Sequence, residues 1–125
     1  MSNQSMTTVR WKIAVLIWMG AIAYLSLLPP RPDYHPSAIQ ETVHNFMHIP
    51  AYALLTYLLV RSFSSITGKA QWCAFLIAFF YGILMEFLQT FVPGRLASLG
   101  DVARNALGSI LIILYFRYFA KVSFQ

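Results

Sequence analysis

The stretch WCAFLIAFFYGILMEFLQTF, residues 72–91, decides the fold. It is 20 residues long and its one charged side chain is Glu86. A helix rises about 1.5 Å per residue, so about 20 apolar residues cross the roughly 30 Å hydrocarbon core of a bilayer. Pro93-Gly94 closes it with a turn. Upstream, Ile13–Leu28 is a second apolar run, ended by Pro29-Pro30-Arg31-Pro32, because successive prolines remove donors and clash with a continuing helix. Downstream, a third runs from Asp101 to Phe119. The remaining span is the least apolar. Ser37-Ala38-Ile39-Gln40 has the S-x-x-Q form of a capping box, so a helix is expected from about Ser37, entering the membrane near His48 and continuing to Val60. Pro50 either kinks that helix or marks where its membrane portion starts.

Composition agrees with this reading. Of 125 residues, 58% are hydrophobic and 10% charged, with a mean hydropathy of +0.61. A soluble domain is about 45–50% apolar and about 25% charged. A disordered chain needs the opposite composition, and a disulfide scaffold needs more than the single Cys73. The net charge of +5 comes from basic residues scattered singly, so nucleic acid is not an expected partner. Arg10 and Lys12 before an apolar run, with Ala21-Ile22-Ala23 inside it, imitate a signal peptide. The run continues past Ala23, so an uncleaved span is expected. The expectation is an all-α integral membrane bundle of four transmembrane helices, at about 11–28, 46–62, 72–91 and 101–119, forming one domain over 1–125.

With four spans both termini lie on one side. Six of the nine basic residues (Arg10, Lys12, Arg61, Lys69, Arg117, Lys121) fall on that side, and Arg31, Arg95 and Arg104 on the other. The positive-inside rule then predicts cytoplasmic N- and C-termini. Polar residues gather at the opposite, outer end: His44 and His48 on span two, Glu86 and Gln89 on span three, Arg95 in the loop, and Asp101, Arg104 and Asn105 on span four. At 100° per residue, Glu86 and Gln89 share an arc of about 80° with Ala78 and Gly82. Asp101, Asn105 and Gly108 share another, as do His44, His48 and Tyr52. Small residues four apart allow close helix approach, and an acid within a span costs about 2.5–3.5 kcal/mol on insertion scales. The three polar stripes are therefore expected to face one another, with Arg95 or His48 as the partner of Glu86.

The run from Glu86 to Gly108 resembles the hallmark segment of the VanZ-like membrane proteins. That pattern, E-x-x-Q, then P-G-R, S, D, N and G, is matched at Glu86, Gln89, Pro93, Gly94, Arg95, Ser98, Asp101, Asn105 and Gly108. A second family element, D-K-x-x-H-F-x-x-Y, is matched only at His48 and Tyr52; His44, Asn45 and Ile49 depart from it. Leu25-Ser26-Leu27-Leu28-Pro29 resembles the end of the family's first helix. The resemblance implies a small protein of the bacterial cytoplasmic (inner) membrane, from a family whose founding member is associated with low-level teicoplanin resistance.

Each candidate has two readings. Glu86 with Arg95 is either a structural ion pair or a general acid–base beside a phosphate clamp. Asp101 either caps span four, where an acid complements the helix dipole, or joins the site; Asn105, a turn inside, is poorly explained by capping. His44 and His48 are spaced i, i+4, but Asn45-Phe46-Met47 lacks the Glu of H-E-x-x-H, and a third ligand would have to be Glu86 or Asp101. No metal or cofactor site is read, and His48 is assigned a polar or proton-transfer role. Trp11, Trp18, Trp72, Tyr115 and Tyr118 are read as lipid-facing anchors, and Cys73 as a small buried hydrophobe.

Candidate catalytic residues are therefore Glu86, His48 and Asp101, with Arg95, Gln89, Asn105, Arg104 and Tyr52 as binding residues. The expected partners are membrane lipids, and a lipid-linked envelope precursor or a glycopeptide; homo-oligomerisation stays open. One function is a headgroup-binding or enzymatic site at the outer face, acting on phosphate-bearing lipid or wall precursor. The alternative is a non-catalytic scaffold or accessory subunit of an envelope complex. A transporter or channel fits less well, because the polar groups sit at one end rather than along a path. Soluble-enzyme motifs such as G-x-G-x-x-G, the P-loop or G-x-S-x-G are absent.

Overall fold

A computed structural model describes residues 3–120. The helices, in chain order, are α1 (Asn3–Leu27), α2 (Ala38–Phe46), α3 (His48–Ser62), α4 (Gly68–Gln89) and α5 (Leu99–Tyr118), and the described residues contain no strand. Among the described residues, four stretches are long and apolar enough to cross a membrane: Asn3–Leu27, Ala38–Ser62, Gly68–Gln89 and Leu99–Tyr118. The chain is an all-α integral membrane protein. Lys121, one of the six basic residues used for orientation, lies outside the described residues.

The second span is two helices in one. Ser37 begins α2 with the expected capping box: its hydroxyl accepts from Gln40 N–H and the Gln40 side chain accepts from Ser37 N–H. The helix then breaks at Met47, and Pro50 supplies the reason. Pro50 has no N–H to offer Phe46, and its ring crowds that carbonyl. The helix resumes at His48, and Met47 itself keeps right-handed helical dihedrals (φ −65°, ψ −18°), so α2 and α3 make one span with a break in its hydrogen bonding beside the histidine.

α3 is the most enclosed helix and packs along α5. A Cβ on Gly108 would fall on the Ile49 carbonyl oxygen and within 3.0 Å of Ala53 N, so the two backbones touch. One turn further from the loops, Thr56 Oγ1 donates to Ser109 Oγ at 2.8 Å, both residues being fully buried. On α4 the buried face carries Ala70, Ala74, Ala78, Gly82, Glu86 and Gln89, the stripe expected from helical spacing. α1 is the least buried of the four spans and lies against α3 and α4 through polar anchors. Trp18 Nε1 donates to Ala51 O at 2.9 Å and Tyr81 OH donates to Met19 O at 2.6 Å.

These contacts correct the reading of some aromatics. Trp18 is a donor between α1 and α3 rather than a lipid anchor alone. Trp11 stands edge-on to Tyr57 and under the Arg61 guanidinium at 4.9 Å, and Trp72 lies 5.6 Å beneath that of Arg117. Cation–π stacking explains why both arginines sit at the apolar boundary. Cys73 is exposed rather than buried, because it lies on the outward face of α4.

Candidate functional site

The loops at 28–37 and 90–98 meet at one end of the bundle, and there the helices α3, α4 and α5 bring three ionisable side chains together. His48 is the first residue of α3. Its Nδ1 lies 2.9 Å from Asn105 Oδ1, and its Nε2 lies 3.7 Å from Asp101 Oδ2. Asp101 holds the Arg104 guanidinium through its other oxygen, a pairing of i, i+3 on α5. Glu86 Oε2 accepts from Ser98 N–H at 2.9 Å. One donor atom from each of His48, Glu86 and Asp101 lies within 4.8 Å of the others. Glu86 is 5% exposed and Asn105 2%, whereas the side chains of His48 and Asp101 are each 15% exposed. The triad therefore runs from a buried acid to a half-open rim.

The local sequence explains the placement. Ser98, not Asp101, is the N-cap of α5, and its hydroxyl accepts from Asp101 N–H. Ser98 thus takes the capping role expected of Asp101, while Asp101 in the first turn still complements the helix dipole. Sitting inside the first turn, Asp101 is free to turn its carboxylate toward His48 and Arg104. Gly82 makes the room for Asn105: a Cβ there would lie 2.9 Å from Asn105 Nδ2 and 3.1 Å from the Tyr52 ring. Glu86 stands one turn further along the same face.

The expected Glu86–Arg95 pair is not formed. Gly94 takes a left-handed turn at φ 79°, and Arg95 beyond it reaches back to α1, donating from Nε to Leu28 O at 3.0 Å. Gln89 Nε2 does the same to Ser26 O at 3.1 Å. The last carbonyls of a helix have no partners within it, and a cation there complements the dipole. Gln89 and Arg95 thus tie the end of α1 to α4 and the following loop. Of the two partners expected for Glu86, His48 is the one nearby.

Above the triad opens a cavity of about 960 Å³. Its wall includes His48, Asp101, Arg95, Arg104 and Gln89 among the candidates, together with His44, Glu41, Tyr34 and Arg31. Arg31, Arg95 and Arg104, the three basic residues at this end, all line it. Glu86, Asn105 and Tyr52 do not; they lie beneath, and Tyr52, 2% exposed, packs on Gly82. His44 stands edge-on to His48 with ring centroids 6.1 Å apart and is outside the triad. Sequence reasoning did not count Arg31 as a site residue. Its signal was available, since it shares the end of the bundle with the other two arginines, but nothing in its proline-rich neighbourhood fixed its direction.

A family model described as VanZ/LLP1 matches residues 3–120. The chain belongs to the VanZ-like family. No curated protein and no solved structure matches it. For this VanZ-like protein the hallmark residues have two separable duties. Gln89, Gly94, Arg95, Ser98 and Gly108 cap helices, turn the chain or let backbones approach. Glu86, Asp101 and Asn105 converge on His48. A carboxylate, an imidazole and a second carboxylate at this spacing can share or relay a proton, and the guanidinium-lined cavity can receive an anion.

Proposed function

We propose that this VanZ-like protein sits in the bacterial cytoplasmic membrane with both termini in the cytoplasm, and binds phosphate-bearing headgroups at the outer leaflet. The bound species is a lipid or a lipid-linked wall precursor, and its handling alters teicoplanin susceptibility. The observation that supports this reading is the single cavity lined by Arg31, Arg95 and Arg104. Arg104 is engaged by Asp101, so Arg31 and the Nη atoms of Arg95 are the cations left to meet a phosphate. Guanidinium groups suit that task because their planar donors match phosphate oxygens in pairs. Beneath the anion, His48 with Asp101 and Glu86 is positioned to give or take a proton.

A non-catalytic scaffold or accessory subunit is the second reading, favoured by Gln89 and Arg95 bonding the end of α1. Two measurements separate them. The purified chain is presented with phosphatidylcholine vesicles, with or without a polyprenyl phosphate, and cells producing each variant are tested for teicoplanin susceptibility. Headgroup binding predicts preference for the phosphate-bearing vesicles, lost in an Arg31→Ala, Arg95→Ala variant. It also predicts that Glu86→Gln removes the cellular phenotype at unchanged protein abundance. Equal binding to both vesicles, with variants that fail only by losing abundance or partner association, favours the scaffold.

A further inference from the structure

The geometry points to a seat for one divalent transition-metal ion of the Zn²⁺ or Mn²⁺ type, formed by His48, Glu86 and Asp101. Three donor atoms from three helices lie within 4.8 Å of one another. Asn105 Oδ1 accepts from His48 Nδ1, so Nε2 is the ring nitrogen turned toward Asp101. With Nε2 unprotonated, as metal binding requires, the three converging atoms all offer lone pairs to one ion.

His48 and Asp101 stand too far apart for a direct hydrogen bond. His48 Nε2 to Asp101 Oδ2 is 3.7 Å, longer than the roughly 2.7–3.2 Å of a hydrogen bond. Two ligands held about 2.0–2.2 Å from one metal stand about 3.3–3.6 Å apart in tetrahedral geometry, so a bound ion would draw these three atoms, now within 4.8 Å of one another, closer together. Glu86 gives an independent reason. It is 5% exposed, accepts one hydrogen bond, and has no ion-pair partner among the described residues. A buried carboxylate without a cation is costly. A divalent ion supplies Glu86 with a counter-charge, alongside the Arg104 guanidinium already on Asp101.

The surroundings match those of metal sites elsewhere. Asn105 holds His48 by the ring nitrogen that does not ligate, and Arg104 holds Asp101 by its other oxygen. An imidazole with two carboxylates and no thiolate suits a borderline ion rather than a soft one. His48 and Asp101 line the cavity, so the position left open by three protein ligands faces it. The seat stands on these contacts whether or not a phosphate enters the cavity.

The test uses the full chain in detergent, stripped with a chelator and titrated with Zn²⁺ and then with Co²⁺ as a spectroscopic probe. Wild type is expected to take up one ion per chain, with Co²⁺ ligand-field bands and no thiolate charge-transfer band. Asn105→Ala should weaken binding by about 10–100-fold, with His48→Ala and Asp101→Asn losing more. His35→Ala and Cys73→Ser should bind as wild type. Where His48→Ala fails to give a folded circular-dichroism spectrum, Glu86→Gln is read in its place. The proposal is overturned if folded wild type binds neither ion, which would make the cluster a protonated network. It is also overturned if uptake follows His35, His44 or Cys73 while surviving Asp101→Asn. Vesicle binding by the chelator-stripped protein is scored separately, so failure of this seat and failure of headgroup binding give different results.

Discussion

At the scale of single residues, glycine carries much of the specification. Gly20 and Gly108 look alike in sequence, each within an apolar helix, yet a Cβ on Gly20 meets nothing within 4 Å and one on Gly108 meets the backbone of α3. Helical spacing showed that Gly108 shares a face with Asn105, but not that Ile49 and Ala53 would be the surface pressed against it. Gly108→Ala must push α3 and α5 apart, since a backbone carbonyl cannot rotate away as a side chain can. The expected cost is about 1–3 kcal/mol, the range for overpacking a filled site. Gly20→Ala should be neutral or stabilise by up to about 1 kcal/mol, from the better helix propensity of alanine. Thermal unfolding of both variants in detergent checks the pair, and equal melting temperatures would show that the backbones do not touch. The Thr56–Ser109 bond was not legible for a similar reason: a hydroxyl inside a helix can satisfy itself on its own helix's carbonyls, as Ser109 does on Asn105 O.

At the scale of elements, the four apolar runs were legible because length and hydropathy suffice to find a span. What they could not show is how weakly buried α1 is held at its loop end. Gln89 was read as a ligand-binding residue and Arg95 as a phosphate clamp or ion-pair partner, yet both first bond the carbonyls that α1 leaves open at Ser26 and Leu28. Sequence separations of 63 and 67 residues put such contacts beyond any local pattern. If these bonds hold α1, then Gln89→Leu with Arg95→Ala should free its end. Spin labels on α1 and α4 near the loops should report a broader distance distribution, and the 28–37 loop should be cut faster by protease. An Arg95→Lys variant, which keeps the charge at the helix end but loses the planar donor, should fall between. An unchanged distribution in the double variant would mean that van der Waals packing alone holds α1. The break at Met47 is the other element-scale feature. Pro50 announced it, but only the fold shows that His48, the first residue of α3, meets Asn105.

At the scale of the molecule, the polar end and the basic end make one argument. Arg31, Arg95 and Arg104 line a cavity at one end, while Arg61 and Arg117 lie on tryptophan rings at the other, where Lys69 stands in the first turn of α4. The convergence of Glu86, His48 and Asp101 was legible in outline, because ionisable groups within spans must turn inward. Its pairings were not, because they depend on where Ser98 caps α5 and where Gly94 turns the chain. The excess of Lys and Arg at the terminal end predicts that the cavity end faces outward, and that orientation decides what the cavity can meet. In a Cys73→Ser background, Leu96→Cys and Ser65→Cys place single thiols at opposite ends. Leu96, 89% exposed, borders the cavity, and Ser65 is exposed in the loop between α3 and α4. A membrane-impermeant maleimide added to intact spheroplasts should label position 96 directly and position 65 only after permeabilisation. The reverse pattern would turn the cavity to the cytoplasm. Its anion would then have to be an inner-leaflet headgroup or a soluble phosphate, and the link from this cavity to wall precursors on the outer face would be broken even if the guanidinium groups bind phosphate.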